Sequence, residues 1–134
     1  MNKILGSLAL MMILLLPGCV YTGFDASISV DAVGVNVNDG DGFCGYGEDE
    51  ECHTVVVSLT NNGEDAVSTN MFYWEAQASS GGIFIAPGVI GPDACAGGST
   101  CTIQLNFDVT NGDTLTKLMW DDGRDSMETS ITGY

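Results

Sequence analysis

In a chain of 134 residues, 18 acidic side chains stand against three basic ones, a net charge of −15. Such a field repels phosphodiesters and anionic head groups and excludes nucleic acid as a partner. The length suits one domain with a real core and is too short for two ordinary ones. At the N-terminus, Lys3 precedes an uncharged run over residues 4–16 that is rich in Leu and Met. The run falls short of the roughly 20 residues a membrane span needs but has the length of a signal-peptide core. Residues 1–18 are therefore read as an export signal and residues 19–26 as a short tether. Residues 27–134 are read as the folded domain, with an acidic insertion over residues 38–51. Once Lys3 leaves with the signal, only Lys117 and Arg124 oppose the acids.

The signal closes on Leu16-Pro17-Gly18-Cys19, which resembles the lipobox of bacterial and some archaeal lipoproteins. The resemblance implies cleavage before Cys19 and lipidation of that cysteine. Two acyl chains anchor stably where one binds only marginally, so the domain is expected to stay on the membrane. It would face the periplasm or the cell exterior from the cell membrane or outer membrane. In a Gram-negative envelope, Val20 in place of the Asp of a retention signal implies the outer membrane.

Beyond the signal the chain reads as short β-branched and aromatic runs separated by Gly, Asn and Asp, the signature of strands and hairpins. In residues 27–38, Ile28, Val30 and Ala32 share one face, and Val33, Val35 and Val37 continue one step out of phase. A β-bulge near residues 32–34 restores the register. Residues 55–59 form an apolar strand closed by Asn61-Asn62-Gly63. Phe72, Trp74, Ala76 and Ala78 alternate with Glu75 and Gln77, as a half-buried strand requires. A short strand over residues 83–85 is broken by Pro87 and Gly88.

Cys101, Ile103, Leu105, Phe107 and Val109 alternate strictly with polar residues, and Asn111-Gly112 then supplies a two-residue turn. A hairpin there sets Leu105 opposite Leu118 and Ile103 opposite Trp120. A last strand covers residues 126–132. About seven short strands in one exported domain predict an antiparallel immunoglobulin-like β-sandwich.

Four cysteines follow Cys19, an even number that reads as disulfides in an exported domain. Cys44 with Cys52 and Cys95 with Cys101 each bracket a Gly-rich loop and form the favoured pairs. A long-range Cys52 to Cys101 bridge, with Trp74 between them in sequence, is the alternative. Zinc needs closer cysteine spacing and more imidazoles than His53 provides. For the same reason blue-copper chemistry and a Ser-His-Asp triad find no support, and His53, placed at a strand start, reads as a surface residue. With so many acids, no glycosidase pair stands out. Gly40, Gly42, Gly45 and Gly47 lie among carboxylates that would repel a phosphate.

The insertion points to calcium. Asp39, Asp41, Gly42 and Glu48 coincide with positions three, five, six and twelve of an EF-hand loop, although Val37 stands at position one. Asp39, Asp41, Glu48 and Asp49 are the candidate ligands of a looser divalent site, against a simple solvated acidic loop. Asp121, Asp122 and Asp125 form a smaller acidic cluster of the same kind.

Residues 55–122 also resemble the DUF4352 family of immunoglobulin-like lipoprotein domains. The likeness runs through Thr60-Asn61-Asn62-Gly63, a Pro-Gly segment, Gln104-Leu105-Asn106-Phe107-Asp108-Val109 and residues 115–120. It implies an accessory or binding role at the cell surface and brings no catalytic residue. The leading expectation is therefore a non-enzymatic envelope lipoprotein, bound to the membrane through lipid on Cys19, whose sandwich contacts an envelope or extracellular protein. A calcium-stiffened adhesion or surface-layer module is the alternative, and a hydrolase with an unrecognised carboxylate pair is the third reading.

Overall fold

The computed structural model of the chain describes residues 23–36, 44 and 47–134. Two four-stranded antiparallel sheets face each other. The first holds β1 (Ala26–Val35), β2 (Glu50–Asn61), β8 (Thr100–Thr110) and β6 (Gly88–Ile90), in the order β1-β2-β8-β6. The second holds β4 (Trp74–Ala78), β5 (Ile83–Ile85), β9 (Leu115–Asp121) and β10 (Ser126–Ser130), in the order β10-β9-β4-β5. A two-stranded ribbon pairs β3 (Val67–Ser68) with β7 (Ala94–Cys95), and a 3-10 turn, Met71–Tyr73, leads into β4. In immunoglobulin lettering these orders are ABED against GFC, with one further strand beside C. The expected sandwich is thus observed, with ten strands among the described residues because short edge and ribbon strands add to the long ones.

The core comes from the alternating positions. Val55, Val57 and Leu59 of β2 and Ile103, Leu105, Phe107 and Val109 of β8 meet Trp74 and Ala76 of β4 and Leu118 and Trp120 of β9, all buried. In β1 the register shifts between Val30 and Ala32, leaving Asp31 as the bulged residue. The bulge brings Val33 opposite Val55 and Val35 opposite His53, the phase change that the valine pattern required. Packing starts before β1, because Phe24 stacks on Trp120 with ring centroids 5.5 Å apart.

Three expectations are corrected. The turn at Asn111-Gly112 forms, with Asp113 N–H donating to Thr110 C=O at 3.0 Å and Gly112 at φ +84°, but it carries the chain from one sheet to the other. Both edges of β8 are already paired, to β2 and β6, so β9 inserts between β10 and β4 and Trp120 stands opposite Trp74. Phe72 does not continue the inward face of β4. It sits in the 3-10 turn, where the period of two no longer applies, and is 73% exposed. His53 is not a surface residue: it lies opposite Phe107 on the core side of β2 and is 1% exposed.

The topology gives the sandwich two poles. The start of β1, the end of β2, the start of β8 and the β9–β10 turn lie at one. The end of β1, the foot of the acidic insertion, the β8–β9 turn and Tyr134 lie at the other.

Candidate functional site

Of the residues singled out by sequence, Cys19, Asp39 and Asp41 lie outside the described residues. The cysteines pair locally: Cys44 with Cys52, Cα atoms 5.1 Å apart, and Cys95 with Cys101, 5.9 Å apart. A Cys52 to Cys101 bridge is precluded by register, since Cys52 stands opposite Asp108 and Cys101 opposite Leu59 on the same ladder. Glu48 and Asp49 form an exposed turn whose carbonyls accept from the side-chain and backbone amides of Asn111. Among the described residues, no three His, Cys, Asp or Glu side chains gather where they would hold a metal.

His53 anchors a chain of polar contacts at the insertion pole. The Tyr134 hydroxyl accepts from Leu115 N–H at 3.1 Å and is hydrogen-bonded to His53 Nδ1 at 2.6 Å. The other ring nitrogen, Nε2, lies 3.3 Å from the Glu51 carboxylate. Burial holds the Tyr134 hydroxyl above its ordinary pKa, with Leu115 N–H opposing and the Asp113 charge adding to the shift. Both ring nitrogens are engaged, and the arrangement ties β2 to β9 across the two sheets. The signal was present in the sequence, because His53 has the parity of Val55, Val57 and Leu59.

At the opposite pole lies a cleft of about 420 Å³ between Phe24, Tyr73 and Trp120, rimmed by Asp25, Glu64, Asp65, Asp122, Arg124 and Asp125. Its aromatic rings are spent on each other: Phe24 stacks on Trp120, and Tyr73 meets Trp120 edge-on at 5.9 Å. Asp122 is held below the usual carboxylate range, chiefly by the backbone N–H of Asp125 and then that of Arg124. It therefore serves the β9–β10 turn.

The third feature is the one sequence reading passed over. Residues 76–92 contain no charged side chain. They run through β5 and β6, where Ile83 (58%), Ile85 (60%) and Ile90 (45%) are exposed. Phe72 lies beside this strip, across a groove it lines with Val89, Gly91 and Pro92. Ile83 and Ile85 stand on the outer face of the second sheet, opposite Gln77 and Glu75, and Ile90, opposite Gln104, stands on the outer face of the first.

No protein-family model matches the chain, and no curated protein matches it. Among solved structures, the chain is similar to MPT63, a secreted protein from Mycobacterium tuberculosis, with a TM-score of 0.58 and 15% identity over 81% of this chain and 84% of that one. At this identity the likeness is one of fold, and that fold is an antiparallel β-sandwich.

Proposed function

We propose that this protein is an exported envelope lipoprotein, held by lipid on Cys19, whose immunoglobulin-like domain is a non-catalytic binding module of the DUF4352 kind. The uncharged edge strand β5, with Ile83 and Ile85 exposed in a strongly acidic protein, carries the binding reading. Two local disulfides and a fold similar to that of a secreted protein support export.

Four Cα-to-Cα steps lead from Cys19 to Gly23, and at about 3.5 Å each they reach at most about 14 Å. The pole bearing Phe24 and Trp120 would therefore lie against the membrane. The acidic insertion would stand a strand length away, roughly 40 Å, facing outward. A sandwich presented this way offers its β5 edge sideways to neighbours in the envelope. A photoactivatable side chain at Ile85 should give a discrete adduct in the native membrane, and one at Glu128 on the opposite edge should not. Indistinguishable patterns from the two positions would refute the reading.

A further inference from the structure

We infer that β5 receives an extended segment of another polypeptide as an added strand, and that this segment is basic as well as apolar. This deepens the binding reading above and rests on it. The sandwich has four sheet edges, and three are closed or guarded. β1 carries the bulge at Asp31 and lies against β10, so those two edges cover each other. β10 also bears Glu128, paired with Lys117 at 3.0 Å. β6 is bracketed by Pro87 and by Gly91-Pro92. Charge, bulges and proline are usual means of keeping an edge from pairing, and the three residues of β5, Ile83–Ile85, contain none of them.

Its backbone is set for pairing. Ala78 N–H donates to Gly82 C=O at 2.8 Å, and Ala76 stands opposite Phe84. Because antiparallel ladder bonds alternate, Phe84 directs its N–H and C=O toward β4, and Ile83 and Ile85 direct theirs to the open side. The half-buried Phe84 ring packs against the core and fixes the strand. The Ile83 and Ile85 side chains stand on the outer face, free to meet alternate residues of an incoming strand.

Charge selects the occupant. Glu75, exposed, lies directly opposite Ile85 on that outer face, in a chain of net charge −15. A Lys or Arg of the incoming strand can lay its aliphatic stem over Ile85 and bring its cation toward Glu75. A second copy of this chain would instead set two such acidic domains edge to edge, with their Glu75 carboxylates approaching each other.

The test uses the full chain in detergent with a probe peptide, acetyl-Lys-Thr-Val-Thr-Val-Thr-Lys-amide, which places Lys and Val on one face of a strand. Its counterpart carries Glu in place of both Lys. The lysine peptide should slow amide exchange at Ile83 and Ile85, and its affinity should fall roughly a hundredfold in Ile83→Thr/Ile85→Thr, since each buried isoleucine face is worth about a factor of ten. The double variant keeps charge and strand propensity, and an unchanged melting temperature shows that it folds. Three results would overturn the inference: equal binding to the double variant, equal binding of the glutamate peptide, or sedimentation of the chain as a dimer that the double variant abolishes. If Ile85 still gives its membrane adduct while neither amide is protected, the surface binds by another mode and only strand addition fails.

Discussion

Trp74 and Trp120 stand opposite each other on the β4/β9 ladder, and each sends its indole N–H to a neighbouring carbonyl of one short segment. Trp120 Nε1 donates to Ser68 C=O at 2.9 Å and Trp74 Nε1 to Thr69 C=O at 3.2 Å. The pair thus closes one end of the core and holds the ribbon strand β3 in place. Trp120→Phe keeps an aromatic ring but leaves the Ser68 carbonyl without its donor. We expect a loss of about 1–3 kcal/mol in chemical denaturation. Trp74→Ala, which also opens a cavity in the core, should lose about 3–5 kcal/mol.

Tyr134→Phe removes a hydroxyl that serves two partners, leaving His53 Nδ1 and Leu115 N–H unmatched. A stability loss of about 1–3 kcal/mol is expected at neutral pH. The pH dependence has a definite sign. The folded-state pKa of Tyr134 lies above the ordinary value, so its neutral form is favoured by folding. That contribution is fully present below the unfolded pKa of about 10 and is lost as pH rises through the raised value. Urea midpoints taken from pH 8 upward should therefore fall more steeply for the wild type than for Tyr134→Phe.

How far the fold was legible depended on which periodicity each residue obeyed. Strict alternation in β8 identified its core face, because a period of two is set by the pleat itself, whereas in β1 the bulge falls at Asp31, one step before the expected place, so Ala32 leaves the face of Ile28 and Val30 and is exposed. Strand partners were less legible. Leu105 and Leu118 are both buried, as an Asn-Gly hairpin would also require, yet they belong to different sheets. In a sandwich, two inward faces share one core, so burial alone does not separate ladder neighbours from residues facing each other across the interior. The local disulfides were legible because each pair brackets a turn. The β5 surface was not, since a short strand over residues 83–85 says nothing of its outer edge until β4 is known to pair with the other. His53 was misread although its parity was visible, because an isolated imidazole beside acids carries the prior of a solvated residue.

Asp113 provides an acid-side test. Its carboxylate accepts from the hydroxyls of Ser80 and Ser79, with further contributions from the Ser80 and Thr114 amides, and its pKa is lowered to about 2. A depressed folded-state pKa stabilises the protein above the unfolded value, 3.8, and the effect disappears as pH falls through about 2. The group is fully exposed, so the effect is expected to be small and reduced by salt. Asp113→Ala should lower the melting temperature at pH 6, with the difference from wild type shrinking as pH falls toward 2. A difference that stayed constant over this range would show that the serine contacts do not distinguish the charged carboxylate.

Neighbouring glycines in the Cys95–Cys101 loop should fail for different reasons when replaced. Gly98 has φ +76°, a conformation that L residues rarely adopt, but a Cβ there meets nothing within 4 Å. Its replacement by alanine strains the backbone at a cost of roughly 1–2 kcal/mol and displaces no neighbour. At Gly97, a Cβ would run into the carbonyls of Gly63 and Glu64, which are backbone atoms and cannot swing aside as a side chain would. That turn is itself held in place. Asn61, buried at the end of β2, donates to the carbonyls of Asp65 (2.8 Å) and Cys95 (3.0 Å) and accepts from Gly63 N–H at 3.0 Å. Gly97→Ala must therefore push the cysteine loop off the turn and break part of the Asn61 network. We expect Gly97→Ala to be the more destabilising of the two, by at least about 1–3 kcal/mol, the usual cost of overpacking. Equilibrium denaturation of both variants checks the order, and Asn61→Ala combined with Gly97→Ala should cost less than the sum of the two single changes, because both disrupt one contact set.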